Sequence, residues 1–131
     1  MPENPEPHAA RALQGVRILA VEDDFIVMLE LTTILRDAGA TVRSCGTVAQ
    51  ALSMVEGETF AAAVLDVRVG RECVSPIAQK LAALGTPFVF YTGQVGNDPT
   101  MAQWPKAGVV SKPAPPLLLV KALVEALGPV A

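Results

Sequence analysis

The feature that most constrains this chain is an unbroken apolar run that ends on a carboxylate. Residues 60–65 are six apolar residues without polar alternation, and Asp66 follows directly. This pattern predicts a strand buried on both faces, as in a parallel sheet covered by helices. Asp66 is therefore expected at the carboxyl end of that strand, which is the edge where ligands bind in open α/β sheets.

The rest of the chain alternates between similar short apolar runs and helical patterns. Further strands are predicted at residues 16–21, 40–44, 87–91 and 108–110. Helical spacing and capping residues predict five helices, and the fourth, beginning at Asp98 and Pro99, is the shortest. The alternation predicts an α/β fold with a flavodoxin-like, doubly wound five-stranded parallel sheet, strand order 2-1-3-4-5, and helices on both faces.

The length and the two ends define the expected domain organisation. Pro2, Pro5 and Pro7 stand among polar residues, so residues 1–15 are predicted to form a disordered leader. A chain of 131 residues then has room for one domain, at residues 16–128. We expect no output domain after it.

Composition excludes several classes of function. The net charge is −3 and the basic residues are scattered, so DNA binding is not expected. Cys45 and Cys73 lack metal-type spacing and are expected to be small buried hydrophobes, and the single histidine, His8, stands alone. No signal peptide or membrane-length apolar run is present, so we expect a soluble, cytoplasmic protein with no membrane contact.

The predicted strand order brings five side chains to one edge of the sheet. Glu22 and Asp23 follow the first strand, Asp66 the third, Thr92 lies at the end of the fourth, and Lys112 follows the fifth. Adjacent carboxylates repel by roughly 4 kcal/mol at an effective dielectric near 20, so such a cluster favours a bound cation. An all-oxygen site suits Mg²⁺. With Lys112 and Thr92 opposite the metal, Asp66 could carry a phosphoryl group as an aspartyl phosphate.

Four short motifs carry a resemblance to a known family. They are Val-Glu-Asp-Asp at 21–24, Val-Leu-Asp at 64–66, Tyr-Thr-Gly at 91–93 and Ser-Lys-Pro at 111–113. In this order they resemble the response-regulator receiver domain of two-component signalling, of the stand-alone, single-domain type. The likeness covers most of the chain, from the first strand to the last helix.

The resemblance implies a role for each residue of the cluster. It makes Asp66 the phospho-acceptor, with Thr92 and Lys112 contacting the phosphoryl oxygens. It also implies Mg²⁺, for which Mn²⁺ could substitute, held by Glu22, Asp23, Asp66 and the backbone carbonyl of Arg68. The Lys112–Pro113 bond is similar to one that is often cis in receivers.

The resemblance also implies partners and a mode of action. The phosphoryl donor would be a phosphohistidine on a sensor histidine kinase or a histidine phosphotransfer protein. The protein, a monomer or weak dimer, would signal by contact with an unknown downstream protein or act as a phosphate sink. Two features depart from the usual receiver pattern and bear on the change of conformation after phosphorylation. The loop at residues 67–71 lacks the usual Met-Pro pair, and Val109 stands where many receivers have an aromatic ring.

Two alternatives belong to other classes of function. One is a receiver-like binding module that works without phosphorylation, for which Val109 and the altered loop argue. The other is an enzyme on the same fold. A nucleotide binder would need a Gly-rich turn where Glu22 and Asp23 stand, and an Asp-based phosphatase would need a second acid where Arg68 stands. We therefore expect a phospho-acceptor rather than an enzyme.

Overall fold

The computed structural model describes residues 11–93 and 99–128. Seven strands are present in this part of the chain: β1 (Arg17–Val21), β2 (Thr41–Cys45), β3 (Ala62–Leu65), β4 (Arg68–Val69), β5 (Glu72–Cys73), β6 (Phe88–Thr92) and β7 (Gly108–Ser111). The five helices are α1 (Phe25–Asp37), α2 (Val48–Gly57), α3 (Ser75–Ala83), α4 (Pro99–Ala102) and α5 (Pro116–Leu127). None of the described helices combines the length and apolar character that crossing a membrane requires.

Five of the strands form one parallel sheet in the order β2-β1-β3-β6-β7. The small pair β4 and β5 lies outside it, so this is the order 2-1-3-4-5 predicted for the five main strands. Val21 is in register with Leu65, and Thr92 is in register with Ser111. The residues that follow β1, β3 and β7 therefore emerge at the same edge as the end of β6.

Helices cover both faces of the sheet, as predicted. Alternate residues of the strands pack against α2 and α3 on one face and against α1 and α5 on the other. All four residues of β3 and all five residues of β6 are buried. The apolar runs lack polar alternation because neither face of these strands meets water.

Local capping signals predict where the first two helices begin. Asp24 accepts a hydrogen bond from the backbone N–H of Val27, as expected for the N-cap of α1. At α2, the Thr47 hydroxyl accepts from the N–H of Gln50 at 3.1 Å. The Gln50 side chain accepts from the N–H of Gly46 rather than from that of Thr47, so the capping box is shifted by one residue on that side.

The predicted leader extends too far toward the domain. Residues 11–15 form turns, and Leu13 is fully buried against α1 and the sheet. The backbone N–H of Leu13 also donates to the carbonyl of Ala38 at 2.8 Å. Apart from prolines, Leu13 is the one large apolar side chain among residues 2–15, and its burial depends on a contact that a local pattern does not reveal. Residues 1–10 lie outside the described residues.

Two local predictions are wrong in detail. The third strand begins at Ala62 rather than Phe60. Ser75 before Pro76 predicts an N-cap at Ser75, but Ser75 lies inside α3 and the N-cap is Val74. The fourth helix spans Pro99–Ala102 and is the shortest of the five, as predicted. Asp98 lies outside the described residues.

Only one of the two cysteines is the buried hydrophobe that was predicted. Burial raises the pKa of Cys45 to about 11, which keeps this thiol protonated. Cys73 is half-buried, with its sulfur 3.1 Å from the Ser75 hydroxyl and 2.9 Å from that of Thr100. Burial by itself would raise the pKa of Cys73, but the hydrogen bonds with these hydroxyls outweigh burial and lower it.

A network of ion pairs between Glu58 and two arginines links β1 and β2 to the segment before β3. Glu58 pairs with Arg17 at 2.6 Å and with Arg43 at 3.0 Å. The hydrogen bonds from Arg43 and then from Arg17 lower the pKa of Glu58 below 4.5, its ordinary value.

The network predicts a pH-dependent contribution to stability. A carboxylate whose pKa is lowered on folding stabilises the protein above its unfolded-state pKa, and the effect is lost as the pH falls through the folded-state pKa. Glu58→Gln should therefore lower the urea midpoint at neutral pH, and the difference from wild type should vanish well below pH 4.5. Glu56→Gln, at an exposed glutamate in α2, is the control. Equal midpoints for the two variants at neutral pH would contradict the prediction.

Candidate functional site

Three carboxylates meet at the carboxyl edge of the sheet. Glu22 and Asp23 follow β1, and Asp66 follows β3. One oxygen from each lies within 4.8 Å of the others, in a group that could hold a metal ion. Glu22 is buried, Asp66 is partly buried and Asp23 is exposed, so the group opens toward solvent on one side. The sequence placed these three residues together, and the sheet order brings them there.

Lys112 bridges two of the three carboxylates. Its Nζ lies 2.5 Å from Glu22 Oε1 and 2.9 Å from Asp66 Oδ2. The Lys112 side chain is 19% exposed, so the ammonium is largely shielded from water. One positive charge thus offsets part of the repulsion within the acidic group, and the pairing links β1, β3 and the end of β7.

Thr92 lies at the same edge of the sheet. It is the last residue of β6 and is fully buried. Its carbonyl accepts a hydrogen bond from the backbone N–H of Lys112 at 3.0 Å. The end of β6 therefore fixes the backbone from which the Lys112 side chain extends.

The pKa values of Glu22 and Lys112 are both raised, but for different reasons. Burial raises the pKa of Glu22 and outweighs the hydrogen bonds from Lys112 and from the N–H of Asp24. Burial would lower the pKa of Lys112, but hydrogen bonds with Glu22 and Asp66, together with their charges, raise it instead. Lys112 therefore remains an ammonium at neutral pH.

The loop after Asp66 is a short β-hairpin with a two-residue turn, which was not predicted from the sequence. Val69 pairs with Glu72 and Arg68 pairs with Cys73. Gly70 occupies the first turn position with φ +63°, as a type II′ turn requires. Gly-Arg between two short segments is the signal that could have predicted this turn, but each strand is only two residues long.

The hairpin turn contacts the acidic group directly. The backbone N–H of Gly70 donates to Asp23 Oδ2 at 2.9 Å. This bond orients the most exposed of the three carboxylates, and the sequence analysis gave Gly70 no role. Arg68 lies on the first hairpin strand and is exposed, and the metal-binding role of its carbonyl stays a prediction.

A second residue that the sequence analysis missed is Tyr91. Lys112 Nζ lies 5.7 Å from the centroid of its ring, within the range of a cation–π contact. From the sequence, Tyr91 is predicted only as a strand residue and as part of the Tyr-Thr-Gly motif. Val109, at the position where many receivers have an aromatic ring, is 42% exposed. The Lys112–Pro113 bond is cis, as the resemblance implied.

The arrangement combines possible ligands for a divalent cation with an ammonium fixed on one carboxylate. Carboxylate oxygens in a partly open group are the ligands that Mg²⁺ prefers, and this ion keeps sites for water and phosphate oxygens. A fixed ammonium stabilises the charge of a transferring phosphoryl group. Asp66 has one oxygen on Lys112 and lies at the rim, where a donor can approach.

Comparison with known proteins gives structural relatives. No protein-family model matches the chain, and no curated protein matches it. Among solved structures, the chain is 36% identical to SdrG from Sphingomonas melonis Fr1, with a TM-score of 0.72 and coverage of 86% of this chain and 95% of that one. It is 25% identical to a CheY-like response regulator receiver domain protein from Methanospirillum hungatei JF-1, with a TM-score of 0.76 and coverage of 86% and 93%.

This chain belongs to the response-regulator receiver family. A further neighbour of the receiver is the receiver domain of sensor histidine kinase PA1611 from Pseudomonas aeruginosa PAO1, whose structure has a magnesium ion coordinated in the active-site cleft. The identity is 21%, the TM-score is 0.78, and 88% of this receiver and 99% of that chain are covered. At this identity the likeness concerns the fold, which is the CheY-like, flavodoxin-like sheet described above.

Proposed function

We propose that this receiver accepts a phosphoryl group on Asp66 from a phosphohistidine, in a reaction that depends on Mg²⁺. The observation that carries the proposal is the Lys112 ammonium, which bridges Asp66 and Glu22 beside the open carboxylate group. The ammonium offsets part of the repulsion among the carboxylates, and it also lies directly on the proposed acceptor oxygen pair. It is well placed to meet the negative oxygens of an incoming phosphoryl group.

The proposed transfer breaks one bond and forms another. An oxygen of Asp66 attacks phosphorus, the P–N bond to the donor imidazole breaks, and the imidazole leaves with the bonding electron pair and takes up a proton from water. Lys112 then moves from the Asp66 oxygen to a phosphoryl oxygen, and the Thr92 hydroxyl donates to another. Catalysis in such a transfer consists mostly of positioning and charge neutralisation. The receiver would thus be a phospho-acceptor that assists its own modification rather than an enzyme with a separate substrate.

The residues present fit a bound Mg²⁺. Glu22, Asp23 and Asp66 each offer an oxygen within a 4.8 Å group, and the ion accepts one or two carboxylates with waters and phosphate oxygens. The Arg68 carbonyl is the further ligand that the family resemblance implies. When bound, the ion would neutralise charge on both the carboxylates and the phosphoryl oxygens. The Gly70 N–H holds the Asp23 carboxylate in place for this role.

The surface beside the site fits a protein donor. Phe25 and Ile26 begin α1 directly after the acidic residues, and they are 71% and 63% exposed. Leu117, at the start of α5, is 69% exposed. A groove of about 480 Å³ is lined in part by Leu29 of α1, by Pro113 after β7 and by Pro116 at the start of α5. We propose that the phosphohistidine-bearing helices of a histidine kinase or phosphotransfer protein pack here.

Signalling from this domain would proceed through protein contact. A downstream protein could bind only the phosphorylated form, or the receiver could drain phosphate from a shared donor as a sink. Because Val109 carries no ring, the switch would depend on backbone movement near Thr92 and α4 rather than on an aromatic rotamer. The downstream partner would therefore be expected to contact α4 or its neighbours.

The direct test uses a small phosphodonor. Incubation with phosphoramidate and Mg²⁺ should add the mass of one phosphoryl group to the intact protein, and hydroxylamine should remove it. Omission of Mg²⁺ in the presence of a chelator should prevent the addition. A binding module that works without phosphorylation would gain no such mass, and this result would overturn the proposal.

A further inference from the structure

Tyr91 occupies an unusual position between the core and the site. It lies on the face of β6 that packs against α1 and α5, while its neighbours Phe90 and Thr92 point to the opposite face. Only 6% of Tyr91 is exposed. Its ring also lines the groove between α1 and the segment after β7. Neither the acidic group nor the proposed transfer assigns it a role.

The path of Lys112 explains why the ring matters. Val110 is in register with Tyr91 and lies on the same face, and Lys112 follows two residues later. Residues two apart in extended chain share a face. In the sheet, β6 separates β7 from β3, so the Lys112 side chain must cross the end of β6 to reach Asp66. On the shared face, the residue at the end of β6 is Tyr91.

We propose that the Tyr91 ring positions the Lys112 ammonium between Glu22 and Asp66, and thereby sets the rate at which Asp66 accepts phosphate. The Nζ lies 5.7 Å from the ring centroid, where the negative face of an aromatic ring attracts a cation. The flat ring restricts the flexible four-carbon side chain of Lys112, so less conformational entropy is lost when the ammonium is positioned during transfer. Tyr91 is a positioning residue, and its role rests on the proposed function.

The role predicts a difference between substitutions that keep the ring and those that remove it. Tyr91→Leu should slow phosphorylation by phosphoramidate at saturating donor by about fivefold, the size of a partly shielded cation–π contact. Phosphoramidate is small and would meet the carboxylates and Lys112 rather than the groove that Tyr91 lines, so the donor concentration that gives half the maximal rate should change little. Tyr91→Phe retains the ring and should restore the rate to within about twofold of wild type.

Packing loss alone must be separated from the loss of the ring. Val89→Ala removes buried volume from the same face of β6, near Gly108 and away from Lys112. This control should lower the urea midpoint while leaving the phosphorylation rate unchanged. A Val89→Ala variant that is as slow as Tyr91→Leu would overturn the proposal, because general loosening of the strand would then explain the effect.

A measurement independent of phosphate reports the contact itself. The ε-methylene protons of Lys112 should show an upfield ring-current shift by NMR in wild type and in Tyr91→Phe, and should lose it in Tyr91→Leu. If wild type takes up no phosphate, the proposed function fails together with the rate effect, even where the ring-current contrast persists. If wild type is phosphorylated and Tyr91→Leu is equally fast, only the role of Tyr91 is overturned.

Discussion

Asp66→Asn is expected to abolish phosphate incorporation from phosphoramidate while leaving the fold intact. The amide has nearly the shape of the carboxylate but lacks its nucleophilic oxygen. Asp66 stands at the rim of the sheet, and its backbone N–H, which the substitution keeps, donates to the carbonyl of Val21. The amide oxygen can still accept from Lys112, so the packing around β3 should not change. Intact-mass measurement after incubation with donor and Mg²⁺ checks this outcome.

A neighbouring carboxylate provides the matched control. Asp24→Asn changes the same functional group close to the site, but the Asp24 side chain caps α1 by accepting from Val27. Asparagine caps helices about as well as aspartate, so stability should be preserved. This control should be phosphorylated as wild type is. Stoichiometric labelling of Asp66→Asn, or equal loss of labelling in both variants, would contradict Asp66 as the acceptor.

Lys112→Ala is expected to change two measured quantities in opposite directions. Removing a fixed donor to a developing anion should slow phosphorylation by about a hundredfold or more. Mg²⁺ should bind more tightly, by at least about tenfold. The substitution removes an ammonium that is hydrogen-bonded to oxygens of Glu22 and Asp66, and its positive charge repels the metal ion. A general structural defect would instead weaken both functions. Phosphorylation kinetics and calorimetric Mg²⁺ titration measure the two effects.

Lys106→Ala is the control for the loss of one lysine charge. Lys106 is exposed and lines an apolar groove near the end of α5, away from the carboxylates. Its removal should leave both the phosphorylation rate and Mg²⁺ affinity unchanged. Urea unfolding of both variants verifies that they are folded. An unchanged rate or weaker Mg²⁺ binding in Lys112→Ala would show that the bridge does not act as proposed.

The residues of the site could be predicted from the sequence because each of them ends or follows a strand. Strands buried on both faces leave apolar runs, and a polar residue directly after such a run stands at the sheet edge. This reasoning identified Glu22, Asp23 and Asp66 without any knowledge of distances. The flavodoxin-like strand order, which fits a doubly wound sheet of five strands, then brings these residues together.

The errors fall where a position depends on a few distant contacts. Leu13 is buried through its fit against α1, and the hairpin at residues 68–73 consists of strands too short to produce a periodic pattern. The half-buried environment of Cys73 depends on Thr100, which lies 27 residues away along the chain. Local composition carries no information about such pairings.

Residue order alone specified the alternating elements, the parallel sheet and the acids that stand at its edge, because hydrophobic periodicity and capping act within a few residues along the chain. Tertiary structure decided that one ammonium bridges Glu22 and Asp66 and that this ammonium lies over the ring of Tyr91. Those contacts depend on strand register and on the direction in which a long side chain crosses its neighbour. They are distances across the fold, and they exist only once β3, β6 and β7 lie side by side.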